Sequence, residues 1–179
     1  MKPLKIIIAM LFCVMGSAFA QINYYTTPNT FKGDGYTYQC DIAQSKMATL
    51  YNKNNKFTYA DQIYKSTGKE FFYDGIPVRE RETWTKPKCF SIVNNAFSAA
   101  EKQRLKNRKL NITMYISPET GKVVEVDFCF LSIDSPFATI PVSVYRKIET
   151  ELIKNIWFTP TAEGKKLNYM MVNWNQEIE

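Results

Sequence analysis

Residues 110–130, LNITMYISPETGKVVEVDFCF, decide the fold. Leu110, Ile112, Met114 and Ile116 alternate with Asn111, Thr113, Tyr115 and Ser117, the period of two that sends one set to each side of a β-strand. Past the turn, Val124, Val126, Phe128 and Phe130 alternate with Val123, Glu125, Asp127 and Cys129. Between the two runs Pro118 presets a turn angle and Gly121 accepts positive φ. The stretch therefore reads as a hairpin with one apolar and one polar face.

Working outward toward the C-terminus, Pro141 to Trp157 carries Val142, Tyr145, Ile148, Leu152 and Ile156 at helical spacing. Arg146, Lys147, Thr150, Glu151 and Lys154 fall on the opposite face. The chain then leaves through Pro160 and Gly164 into a last strand, Asn168 to Trp174, in which Met170, Val172 and Trp174 face one way. The expected fold class is α+β, an antiparallel sheet with a packed amphipathic helix, and residues 110–179 form a unit within it.

Residues 21–109 are less regular. Asn23 to Gly35 is turn-rich and reads as an irregular arm, and Tyr36 to Ile42 as a strand. Met47–Tyr51 and Phe57–Tyr59 flank a polar stretch that suits either a hairpin or a short helix and strand. Lys69 to Tyr73 reads as another strand, and the alternating charges of Arg79-Glu80-Arg81-Glu82 as a solvated edge. Ser98 and Glu101 have capping-box spacing at the head of a short helix running to Asn107. The basic residues of that stretch, Lys102 to Lys109, read as a solvated face.

At the N-terminus Lys2 and Lys5 precede an apolar run from Ile6 to Met15 and then Ala18-Phe19-Ala20. This has the form of a cleavable secretory leader over residues 1–20. Export is the expectation, to the periplasm or cell exterior, with a single domain over 21–179. No later segment is long and apolar enough to cross a membrane. Without Lys2 and Lys5, 21 basic residues stand against 17 acidic ones, a net charge of +4. That mild balance is no nucleic-acid signature.

Three cysteines remain after the leader, Cys40, Cys89 and Cys129. A Cys40–Cys89 disulfide would contribute roughly 4 kcal/mol by closing a long loop, and free buried thiols are the equal alternative. The chain has no histidine, which removes Ser/His and Cys/His nucleophiles and the commonest metal ligand. The cysteines are isolated and no glycine-rich phosphate loop is present, so no cofactor is expected. Glu125 and Asp127, two apart on one strand face, are only formal candidates for carboxylate catalysis. Aromatic residues make up 15% of the chain and are dense between Tyr24 and Tyr73. They suit either packing or a glycan platform, and Tyr24, Tyr25 and Trp84 are least explained by a strand pattern.

The order of elements from Ile116, through Gly121-Lys122-Val123-Val124-Glu125-Val126 and the helix, to Trp157-Phe158-Thr159-Pro160-Thr161 and Gly164-Lys165-Lys166, resembles the C-terminal domain of TonB. That resemblance covers residues 110–175. It implies a helix against an antiparallel sheet and a partner bound by strand addition at a sheet edge. The cleavable leader, the lack of a Pro-rich spacer and Thr161 in place of Ala depart from that family, so energy transduction is not implied. The whole chain also resembles small exported proteins of uncharacterised families in Gram-negative gut bacteria, which supplies no function.

The expectation is thus a non-catalytic exported envelope protein that binds a protein or peptide through a sheet edge. Asn168, Tyr169, Met171 and Asn173 are the candidate edge. A glycan-binding module using exposed aromatic residues is the alternative.

Overall fold

A computed structural model describes residues 22–179; the leader read over residues 1–20 lies outside them. Six antiparallel strands form one sheet in the order β1-β2-β3-β5-β4-β6. They are β1 (Asn29–Gly33), β2 (Tyr36–Ile42), β3 (Met47–Asn52), β4 (Lys109–Ile116), β5 (Val123–Leu131) and β6 (Met170–Glu177). Among the described residues three α-helices accompany them, α1 (Thr85–Asn94), α2 (Ala99–Leu105) and α3 (Val142–Asn155). The α+β class expected from the alternating hairpin and the amphipathic helix is the observed one.

The hairpin residues form β4 and β5 and lie at the middle of the sheet. Leu110, Ile112, Met114 and Ile116 are buried under the helices with Val126, Phe128 and Phe130. α3 lies across β5, and α1 sits beside it against β6. Tyr145, Ile148 and Leu152 of α3 are the buried positions of the apolar stripe, at the three- and four-residue spacing that keeps one helix face inward. Glu149 is buried on that stripe as well, and is satisfied there by the Tyr38 hydroxyl and by Arg146 at 2.5 Å.

Two strand residues, Val123 and Val124, exchange faces relative to the sequence reading. A register shift between Tyr115 and Ile116 pairs Ile116 with Val123, so Val123 enters the core and Val124 turns out, 40% exposed. A bulge adds one residue to one strand and so inverts the alternation on its far side. Pattern alone treats Val123 and Val124 as equals. The turn geometry breaks the tie: Gly121 has φ +71°, and its N–H donates to Ser117 O. A Cβ on Gly121 would lie 1.8 Å from the carbonyl oxygen of Phe158.

The N-terminal part departs further from expectation. The arm before Tyr36 contains β1, and Tyr25 is fully buried, its ring 5.1 Å from Phe31 and 5.3 Å from Phe130 and its hydroxyl donating to Ile140 O. Met47 to Asn52 is one strand, followed by turns. Lys69 to Tyr73 is not a strand: only Glu70 makes an isolated bridge, to Ile63, because no strand lies beside it to complete a ladder. Arg79 and Glu80 pair instead with Pro160 and Thr159. The capping box is present, with Ser98 accepting from Glu101 N and Glu101 accepting from Ser98 N.

The Cys40–Cys89 bridge is not formed, and Cys40, Cys89 and Cys129 are free thiols. Cys40 lies in β2, whereas Cys89 lies in α1, which packs toward β6. Three strands separate β2 from β6. At about 4.8 Å per strand that is about 19 Å, far beyond the roughly 7 Å between Cα atoms that a disulfide spans. Burial pushes both thiols up to about 12, so neither is a thiolate near neutrality.

Candidate functional site: the open edge of β6

The sheet has two edges, β1 and β6. β1 is five residues long, follows Pro28, carries Lys32 and ends at Gly33. Short length, a lysine and flanking Pro and Gly are the usual protections of an edge. β6 is eight residues long, MMVNWNQE, with neither lysine nor proline. Of the two, it is the unprotected edge.

In an antiparallel strand the N–H and C=O of one residue point to the same side, and successive residues alternate. Ile178 N donates to Arg108 O, toward β4. On the other side, the carbonyls of Tyr169 and Glu177 accept from the side-chain amides of Gln62 and Asn94. Met170, Val172, Trp174 and Gln176 therefore bond to β4. Met171, Asn173 and Asn175 turn their backbone groups away from it.

The expected edge residues divide accordingly. Asn168 and Tyr169 are covered by the chain around residues 60–65. Asn168 N donates to Ile63 O, Asn168 Oδ1 accepts from Ile63 N, and the Tyr169 hydroxyl donates to Ala60 O. The free edge thus begins at Met171 rather than at Asn168, and it includes Asn173 and Asn175. Asn175 was missed because the sequence reading ended the strand at Trp174.

A cavity of about 470 Å³ opens beside Met171, lined also by Gln62, Phe71, Tyr73, Val78 and Arg79. One wall, residues 77–81, is fixed by backbone and side-chain bonds: Thr161 N donates to Val78 O, Thr161 Oγ1 to Pro77 O and Glu80 N to Thr159 O. Gly164 permits the approach, since a Cβ there would meet Val78 O at 1.9 Å. Of the cavity's lining, Tyr73 and Met171 are 68% and 40% exposed, and Phe72 and Ile76, adjacent in sequence to lining residues, are 72% and 51% exposed. Large apolar groups left in water are what a candidate contact surface requires.

The other candidates are placed elsewhere. Glu125 accepts from the backbone N–H groups of Lys56 and Phe57 at 2.9 and 2.8 Å. Asp127 is buried and accepts from the Tyr115 hydroxyl at 2.7 Å, and burial raises its pKa. Glu125 thus holds the chain that covers it, Asp127 is tied to the neighbouring strand β4, and the two, on one strand, do not face each other across a cleft. Of the aromatic residues, Tyr25 is core, Tyr24 is 38% exposed and Trp84 packs against Trp157 with ring centroids 4.3 Å apart and planes tilted by 44°. Exposed Tyr59 meets Tyr51 edge-on at 85°, so these rings form no coplanar row.

Fold and edge together define a class: an α+β domain with a helix-backed antiparallel sheet and one unprotected edge. The chain belongs to the DUF5043 family, a domain of unknown function, whose family model matches residues 21–174. It is similar to a solved DUF5043 family protein from Bacteroides uniformis, with a TM-score of 0.81 and 43% identity over 87% of this chain and 88% of that one. No curated protein matches the chain. The TonB C-terminal resemblance finds no confirmation in these matches. Among the described residues no helix is long and apolar enough to cross a membrane.

Proposed function

We propose that the protein is an exported, non-catalytic envelope protein that captures an extended peptide or protein segment by adding it as a strand along Met171–Asn175. The observation that carries this reading is the run of outward backbone groups at Met171, Asn173 and Asn175 beside the Phe71/Tyr73/Met171 cavity. Strand addition takes its affinity from main-chain hydrogen bonds and its selectivity from pockets for alternate side chains. Both parts lie side by side here, since the cavity receives a side chain from the incoming strand. Export rests on the leader read in residues 1–20.

Asn173→Pro tests the reading. The substitution deletes one outward N–H while leaving the β4-facing bonds intact, a position at which an edge strand tolerates proline. Expected results are loss of a partner retained from envelope extracts by the unsubstituted protein, with an unchanged circular dichroism spectrum. Slowed hydrogen exchange at the Met171 and Asn175 amides in the wild-type complex is the companion result. A folded Asn173→Pro variant that keeps the partner would overturn edge binding.

A further inference from the structure

We propose that the groove between the end of α3 and the first residues of β5 binds an apolar carboxylate, an acyl chain ending in an acid group. The groove holds about 580 Å³, and its lining includes Thr120, Lys122, Val124, Ile153, Lys154 and Trp157. It exists because β3 pairs with β5 only from Leu131 back to Asp127. Residues 123–126 consequently have β4 on one side and no strand on the other.

The apolar half of the site is built by two features that otherwise only cost stability. The bulge that buries Val123 leaves Val124 40% exposed, and Trp157 is 52% exposed at the end of the helix. Bulges re-aim side chains and concentrate near binding sites. Trp157 is not a loose surface ring: its backbone bridges to Lys122, and its indole packs on Trp84 at 4.3 Å. The wall is preorganised, so a ligand orders little on arrival. Ile153 extends the apolar strip along α3.

The charged half selects the ligand's head group. Lys122 and Lys154 line the groove, and no carboxylate does. None of the ion pairs among the described residues involves either lysine. The nearby Glu119 is already held by Lys65 at 2.7 Å. The C-terminal end of α3 opposes an anion with about half a negative charge, against two full positive charges on the lysines. Two carbonyls there are also engaged, Leu152 O by Ile156 N and, just past the helix, Ile156 O by Val123 N. The balance favours an anion, and the Val124–Ile153–Trp157 wall favours an apolar tail.

The test titrates the full chain with decanoate, decanol and decyltrimethylammonium, each below its micelle concentration, by calorimetry and tryptophan fluorescence. Decanoate is expected to bind and to shift the emission, and Trp157→Phe to lose that shift while the remaining tryptophans report a folded protein. Decanol is expected to bind about tenfold more weakly, and the double variant Lys122→Glu/Lys154→Glu to weaken decanoate by about tenfold with decanol unchanged. Equal binding of decanoate and decanol, tighter binding of the cation, an unaffected double variant, or no binding of decanoate would each overturn the proposal. Circular dichroism melts of both variants confirm that lost binding is not lost folding.

Discussion

The two faces of the sheet are covered by different kinds of chain, and each kind demands a different surface beneath it. On one face lie helices, whose backbone groups bond within themselves, so the strands beneath need supply only apolar area. Ile112, Met114, Val126 and Phe128 do so, all essentially inaccessible to solvent. On the other face lies irregular chain after β3, with backbone N–H groups that have no ladder of their own and must be satisfied individually. The strands there supply acceptors. Glu125 takes the N–H groups of Lys56 and Phe57, and Asp41 accepts from the hydroxyls of Tyr51 and Tyr59. Phe57 then packs over Tyr169 with its ring centroid 4.6 Å away. A strand face that alternates to polar is here a face prepared for a loop, not for water.

The largest expected effect tests the helix face. Phe128 sits on a central strand with no exposure, 5.0 Å from the Tyr145 ring. Phe128→Ala should cost about 3–5 kcal/mol, read as a lower urea midpoint with an unchanged slope. Loss of less than about 1 kcal/mol would mean that α3 is not packed as described.

The loop face should respond less and locally. Glu125→Ala removes the acceptor of two charge-assisted bonds, an expected loss of roughly 1–3 kcal/mol. Hydrogen exchange should quicken at the Lys56 and Phe57 amides while the core amides of β4 and β5 keep their relative order. Uniform quickening across the sheet would show that the cover and the core are one cooperative unit, which would erase the contrast between the faces.

The same contrast explains what could be read in the sequence. The helix face announces itself because burial under a helix imposes a period on each partner, so β4, β5, α3 and β6 were legible from alternation and helical spacing. The other elements arise from neighbours. β1, with Asn29, Thr30 and Lys32, is a strand because β2 offers it a ladder, and nothing in its own exposed pattern says so. α1 begins without a side-chain cap, carries Pro87 in its first turn and buries little beyond Cys89 and Val93, so its period is weak. Phe71, Phe72 and Tyr73 have the composition of a strand and lack only a partner. The edge was legible in part: Met171 and Asn173 lie on it, whereas the covering of Asn168 and Tyr169 depends on Gln62 and Ile63, far away in sequence.

The smallest expected effect is also the sharpest test of whether the loop face is dry. Burial raises the Asp127 pKa; the Tyr115 hydroxyl pulls the other way by donating to the carboxylate, and burial wins. A folded-state pKa above the unfolded value means that the native state holds the proton more tightly than the unfolded chain does. Its contribution to stability is therefore complete below the unfolded value of about 4, and is lost as pH rises through the raised folded value. Asp41, on the same face, has the opposite sign. Burial pushes its pKa up, but the hydrogen bonds from Tyr51, Gln39 and Tyr59 outweigh this and lower it, so its contribution is lost as pH falls. The wild-type profile mixes the two, and only a difference separates them. Urea unfolding of wild type and Asp127→Asn between pH 3 and pH 8 should give a difference that moves in favour of the variant with rising pH. In Tyr115→Phe the same descent should shift to higher pH, because the hydroxyl no longer holds the carboxylate down. A flat difference would mean that water reaches Asp127, and that the chain above it lies on the sheet without sealing it.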